Sequence, residues 1–347
     1  MINAGSVGVL ADGIAAVWKP FSRAAFVRGA LAGLAGLELK DRVRHVARML
    51  HEALPLPFAD AAEVLRGSAG QVRLDLWSGW PATEHVATHG VEHLDESMAT
   101  LAVLTPHSTA EFAVRPLLER HHLDAMKIMY DWAHSPDEHL RRLASEGTRP
   151  RLPWGSRVRW LMEPGPALPI LDALRDDPSE YVRRSVANHV NDIAKDHPEV
   201  AIDLLARWRE SGGSHIERTL RHAARGLIKA GHPRALTLMG ASPGAGTVDD
   251  LTLHDTEVVT GNHLRFTVTL TTDHPGPIIL KYAIRRDNSH RVFHLAERPS
   301  MQPGHPLTIT KSHSFRPVTT RNEPPGPRTL EIVINGTVRA SAPFLLK

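Results

Sequence analysis

The chain has 347 residues, 41 Lys and Arg against 38 Asp and Glu, and no cysteine. That length accommodates two domains, and the missing cysteines exclude disulfides, thiolate zinc sites and iron–sulfur clusters. No apolar run reaches the roughly 18 residues of a membrane span, and Asp12 interrupts the apolar Val7–Trp18 stretch where a leader would lie, so a cytoplasmic protein is expected.

Up to Leu238 the apolar positions recur at helical spacing. Helices are predicted over Leu39–Ala53, Ala59–Leu65, His93–Leu104 and Thr109–Arg120. Beyond them an arginine recurs at one position of a helix, in Leu140-Arg-Arg-Leu-Ala144, Val182-Arg-Arg-Ser-Val186 and Leu220-Arg-His-Ala-Ala224, 42 and 38 residues apart. Each is preceded by another apolar helix, at Leu123–Ala133, Ile170–Arg175 and Ala201–Glu210, with Pro136, Pro178 and Gly212-Gly213 at the turns. This period lies in the range of HEAT repeats, two-helix units that stack because none buries its apolar face alone. The expected stack is curved, with a concave face.

Past Gly240 the period changes to two. Leu264, Phe266, Val268 and Leu270 alternate with polar residues, as do Leu280, Tyr282 and Ile284, and Leu330, Ile332 and Ile334 ahead of an Asn335-Gly336 turn. About seven strands fit, which predicts an immunoglobulin-like β-sandwich without the cysteine pair and core tryptophan of antibody domains. The fold class is therefore multidomain, a HEAT-like α-helical repeat solenoid followed by a β-sandwich. Its predicted boundaries are 1–240 for the helical domain, 241–248 for a linker containing Ser242-Pro-Gly-Ala-Gly246, and 249–347 for the sandwich.

Residues 1–248 carry 29 basic and 29 acidic side chains, so any phosphate-binding surface must arise by local clustering. One cluster stands out. Between Arg141 and Trp160 lie six arginines (141, 142, 149, 151, 157 and 159), two tryptophans and a single carboxylate, Glu146. Such a patch suits a polyphosphate backbone, with flat rings for a base; the alternative is a solvated basic loop beside two core tryptophans.

The Leu140–Trp154 run, LRRLASEGTRPRLPW, resembles the HEAT-like DNA glycosylases that excise alkylated bases, in their AlkC branch. Three further segments resemble the same family in the same order: Gly33-Leu-Ala-Gly-Leu-Glu-Leu-Lys-Asp-Arg42, Thr109-Ala-Glu-Phe-Ala-Val-Arg-Pro116 and Arg183-Arg-Ser-Val-Ala-Asn-His-Val-Asn-Asp192. The resemblance covers about residues 20–240 and implies a monofunctional glycosylase acting on double-stranded DNA. It further implies N3-methyladenine as main substrate and N3-methylcytosine as a possible second, exposed at a kink in bent DNA without a deep base-flipping pocket. Some relatives also carry an appended β-sandwich.

Releasing a base builds positive charge on the sugar, and a cationic alkylated base leaves as a neutral molecule without general-acid help. The chemistry then needs a carboxylate near the sugar. Glu146 is the first candidate, against an i, i+4 ion pair with Arg142; Glu111 is the second, against helical pairing with Arg115. Asp192 is the third, ending an Arg184–Asn188–Asp192 stripe that suits either DNA binding or a cap for the next helix. Trp154, in an irregular loop after Pro153, and Trp160, the more ordinary packing residue, are candidate lesion contacts. Arg149, Arg151 and Arg157 are expected on phosphates, with Arg141, Arg142, Arg184 and Asn188 completing the surface. In the sandwich, Arg285, Arg286 and Arg291 surround an Asp287-Asn-Ser-His290 turn, either as a second grip on DNA or as charges that keep a sheet edge soluble. His85, His89 and His93 fall at i, i+4, i+8, but Gly90 weakens that helix and no acidic partner follows, so no metal is expected. No phosphate-cradling loop, dinucleotide fingerprint, nucleophile elbow or Schiff-base lysine is evident, and no cofactor is implied. The competing readings are a non-catalytic HEAT protein that binds distorted DNA and a peptide-binding scaffold.

Overall fold

The structure, a computed structural model, describes residues 1–347 except 243–244, 274, 288 and 318–322, and leaves the side chains of 297–300 undescribed. Pro243 and Gly244 of the expected linker, and Asn288 of the expected arginine-bearing turn, lie outside the described residues. Two compact units are present, Met1–Ala223 and Ala224–Lys347.

The first unit is helical: α1 (Ala4–Val17), α2 (Arg23–Leu31), α3 (Leu39–Ala53), α4 (Phe58–Ala69), α5 (Leu76–His89), α6 (Leu94–Leu104), α7 (Val114–Trp132), α8 (Glu138–Gly147), α9 (Leu168–Leu174), α10 (Glu180–Asp196), α11 (Pro198–Ser211) and α12 (Ile216–Ala223). On α3, Val43, Val46, Ala47 and Leu50 are buried at i, i+3, i+4, i+7, the stripe of a one-faced amphipathic helix. Helix α10 packs on α8, α9, α11 and α12, and accordingly Val182, Val186 and Val190 are fully buried. The expected helix at Thr109–Arg120 begins only at Val114, with residues 111–113 in turns, so Glu111 and Arg115 do not share a helical face.

The recurring arginine has a structural explanation. Arg141 donates to the carbonyls of Ser135 (3.0 Å) and Pro136 (2.9 Å), and Arg183 to those of Asp177 and Pro178 (2.9 Å). Each guanidinium closes the turn between its own helix and the preceding one, satisfying carbonyls that the helices leave unpaired.

The second unit holds α13 (Arg225–Ala230), α14 (Pro233–Leu238) and eight described strands: β1 (Thr247–Leu253), β2 (Glu257–Val258), β3 (His263–Thr271), β4 (Gly276–Arg286), β5 (Ser289–Met301), β6 (Leu307–Ser314), β7 (Gly326–Ile334) and β8 (Thr337–Leu346). They form a three-stranded sheet, β1-β3-β6, and a five-stranded sheet, β2-β8-β7-β4-β5, antiparallel except where β2 runs parallel to β8. The alternating residues Leu264, Phe266, Val268 and Leu270 are buried with Tyr282, Phe315 and Ile332 in one core. The Asn335-Gly336 turn joins β7 to β8 with φ of 45° and 82°, the positive pair that a two-residue hairpin requires. A Cβ at Gly336 would stand 2.7 Å from the Gly231 carbonyl, so this turn sits directly on the end of α13. Leu236 of α14 packs with Ala241 and Ile279. Hence α13 and α14, expected within the 1–240 domain, cohere with the sheets.

Candidate active site

The last residue of α8 is Gly147, where α7 lies too close for a side chain: a Cβ there would be 2.6 Å from Val114 Cγ2 and 3.0 Å from Met129 Cε. This close approach sinks the last turn of α8, and Ser145 and Glu146 are buried with it. Glu146 is 6% exposed and meets the face of α10 that carries Ser185, His189 and Asp192. Ser185 Oγ donates to Glu146 Oε2 at 2.7 Å, and the ring Nδ1 of His189 lies 2.9 Å from the Ser145 carbonyl.

Arg149 lies between two carboxylates. Its Nη1 donates to Glu146 Oε1 at 2.6 Å, its Nε to Asp192 Oδ2 at 2.8 Å, and Nη2 stands 2.7 Å from the same Asp192 oxygen. Lys195 takes the other Asp192 oxygen at 2.9 Å. Burial works against the Arg149 charge, but the Glu146 and Asp192 carboxylates outweigh it and raise its pKa. Expected to grip phosphate, this guanidinium instead faces the protein interior and holds both candidate carboxylates in place.

Glu111 joins the cluster from the turn before α7. Arg142 Nη1 donates to Glu111 Oε2 and to Thr109 Oγ1 (2.6 Å), while its Nη2 lies 3.7 Å from Glu146. The helical pairing of Glu111 with Arg115, the alternative to a site role, is not what the structure shows. Arg115 is 1% exposed and donates to the carbonyls of Gly147 (2.8 Å), Arg149 (2.9 Å) and Ser156, pinning the loop that follows α8. Burial, then the nearby Arg149 charge, lowers its pKa to about 10. Sequence reading missed this role, and it missed Tyr181, over whose ring the Arg142 guanidinium sits at 5.3 Å. Tyr181 stands one helical turn before Ser185 on α10, a spacing that could have revealed it.

The remaining arginines separate into paired and exposed groups. Arg141 makes a bidentate bond to Asp177 (2.7 and 3.1 Å), and Arg151 another to Asp196 (2.8 and 2.6 Å). Arg184 points outward on α10, 3.3 Å from Glu180, and Asn188 is half-buried on the same helix. Arg157 and Arg159 are exposed and form no ion pair among the described residues.

Trp154 is 63% exposed and holds a left-handed φ of 66°, a strained conformation for a bulky residue, with its carbonyl bonded to the Lys40 ammonium. It borders a cavity of about 220 Å³ lined also by Lys40, Trp80, Glu84, Phe112 and Ser156. Trp160 is half-buried and donates its indole N–H to the Leu118 carbonyl at 3.1 Å, which makes it a packing residue. In the second unit Arg285 pairs with Glu331 (2.7 Å), Arg286 with Asp287 (3.4 Å) and Arg291 with Glu323 (2.6 Å). Among the described residues no helix is long and apolar enough to cross a membrane.

Residues 247–347 match the family model described as the C-terminal Ig-like domain of the uncharacterised protein YhaZ. Over 315 residues, 89% of this chain and 87% of the relative, the sequence is 36% identical to the uncharacterized protein YhaZ of Bacillus subtilis (strain 168). Among solved structures it resembles Pseudomonas fluorescens alkylpurine DNA glycosylase AlkC, bound there to DNA containing an abasic-site analog. That likeness has a TM-score of 0.87 and 34% identity, and covers 100% of this chain and 98% of that one. A helical unit followed by an Ig-like domain thus agrees with relatives matched along most of their length, and the chain belongs to the family of AlkC and YhaZ.

Proposed function

We propose that the protein is a monofunctional DNA glycosylase that hydrolyses the N-glycosidic bond of cationic alkylated bases, N3-methyladenine first and N3-methylcytosine second, in double-stranded DNA. The observation that carries this reading is the Glu146–Arg149–Asp192 cluster where α8 meets α10, in a chain with the fold of AlkC throughout. The C1′–N bond of the deoxyribose breaks, its electrons leave with the base, and the cationic base departs neutral. Water then bonds to C1′ and gives up a proton. Developing charge on the sugar requires a fixed negative group more than an acid. Glu146 suits that requirement because Arg149 and Ser185 fix its two oxygens separately. Asp192, shared between Arg149 and Lys195, supports Arg149 rather than contacting the sugar. Glu111 with Arg142 borders the same site, and the exposed Trp154 ring offers a surface for a cationic base.

The test is incubation of the purified chain with methylated duplex DNA and chromatography of the bases set free. Release of N3-methyladenine, with the strand left intact until alkali is added, supports the proposal. Binding to distorted DNA without base release would instead indicate a non-catalytic DNA-binding protein, and absence of both would favour a scaffold.

A further inference from the structure

Sequence spacing groups His85 and His89 with His93, and the fold replaces the third of these. Helix α5 ends at Gly90, and His93 precedes α6 with its ring stacked 5.1 Å from Phe58. In its place His51, from the last turn of α3, faces the two histidines of α5. The His51 and His89 rings lie parallel with centroids 3.7 Å apart, and His85 lies 4.9 Å from His89 and 5.6 Å from His51. One ring nitrogen from each falls within 4.8 Å of those of the other two.

His85 is the informative member. It is 1% exposed, and both its ring nitrogens are buried without a hydrogen-bond partner. Buried imidazole nitrogens are ordinarily satisfied, and a group left with neither bond needs an explanation. An apolar residue of similar size would fill this space without that cost. Three imidazoles converging from two helices, one with no hydrogen-bond partner, match the donor set of a borderline cation.

We propose that His51, His85 and His89 form a three-imidazole site for a divalent first-row transition ion, Zn²⁺ in the first instance, joining the end of α3 to α5. A tetrahedral ion with bonds of about 2.0–2.1 Å sets its ligand nitrogens about 3.4 Å apart. His51 is exposed and His89 half-buried, so their rings can turn to close that distance on the fixed His85. The fourth position is left to water.

The experiment uses the tag-free full chain, stripped with chelator and dialysed, because an affinity tag of histidines would itself bind the probe. Zn²⁺ binding is measured by calorimetry and by metal analysis after gel filtration, and Co²⁺ by its visible spectrum. One equivalent per chain is expected, with an intense tetrahedral Co²⁺ band and a thermal midpoint raised by Zn²⁺. His51→Ala and His89→Ala, at an exposed and a half-buried position, should each weaken binding at least tenfold and abolish the band and the thermal shift. Equal stoichiometry and affinity in parent and variants would assign the binding to other histidines and overturn the site, as would a parent that retains no ion at micromolar Zn²⁺.

Discussion

Glu146→Gln separates the charge of the proposed catalytic group from its shape. The amide oxygen can still accept from Arg149, now 2.6 Å from Oε1, and the amide nitrogen can face Ser185, whose hydroxyl has a second partner in Ser145 Oγ at 3.0 Å. Arg149 keeps Asp192, so no buried charge is orphaned. The stability loss should therefore be that of one charge-assisted hydrogen bond, about 1.5–3 kcal/mol, rather than the 3–5 of a broken buried pair. For a unit of this size each kcal/mol lowers the thermal midpoint by about 2–4 °C, leaving a folded protein at 25 °C. Loss of one preorganised electrostatic group should slow base release by about a hundredfold or more. Single-turnover release from methylated duplex, with enzyme in excess, reads the chemical step, and binding to an abasic duplex reads the rest. A folded variant that releases base at near the parent rate would remove Glu146 from the chemistry.

Because Arg149 and Arg151 are engaged by carboxylates, replacing Arg157 and Arg159 with Ala should flatten the salt dependence of DNA binding, by nearly one released counterion per lost phosphate contact. Fluorescence anisotropy between 50 and 200 mM salt gives the slope, and an unchanged slope would show that these side chains do not meet the backbone. Arg149→Met should lose about 3–5 kcal/mol by leaving Glu146 and Asp192 facing each other without their shared cation; a denaturant midpoint equal to that of the parent would refute the clamp. Burial, with the Arg149 charge adding, depresses His189 from 6.5 to about 4 in the folded chain. The unfolded chain alone takes up this proton between those values, so the stability His189 contributes is present above pH 6.5 and lost as pH falls towards 4, by about 3 kcal/mol. His189→Gln should reduce that slope, measured by urea unfolding at a series of pH values, and identical slopes would refute it. Arg285→Ala with Arg286→Ala and Arg291→Ala should weaken DNA binding and slow excision if the Ig-like domain grips DNA; parent-like behaviour would exclude this turn.

The elements legible in the sequence were those whose cause is local. The arginine repeat was visible because Arg141 and Arg183 perform the same task on the turn six and five residues behind them. The hairpin at Asn335-Gly336 was visible because its backbone conformation restricts the residues that can occupy it. Helices α1, α2 and α5 gave weaker signals: α1 is nearly apolar all round, and α5 holds Pro81 within it. The start of the Ig-like domain, expected at 249 and matched from 247, was legible too, but the allegiance of the two helices before it was not. Helices α13 and α14 read as helices, but only the Gly231–Gly336 approach, over a hundred residues apart in sequence, reveals which core they join.

Charge was the hardest property to read, because a linear count sees only neighbours. The Arg141–Trp160 segment carries six arginines and one carboxylate, yet Asp177, Glu111, Asp192 and Asp196 reach in from other elements and engage Arg141, Arg142, Arg149 and Arg151. Within the patch that sequence presented for phosphate, Arg142 and Arg149 form an ion-pair network around Glu146, while Arg141 and Arg151 pair with Asp177 and Asp196. The exposed cations are Arg157 and Arg159, just beyond the exposed Trp154. The segment thus divides in two. Its first half is buried and held by pairs too geometrically determined to move freely; its second half offers charge and a flat ring to the outside. A glycosylase has the same two requirements, a fixed carboxylate and an accessible surface for the nucleic acid, and a chain that placed both on one exposed loop would lose the orientation the first of them needs.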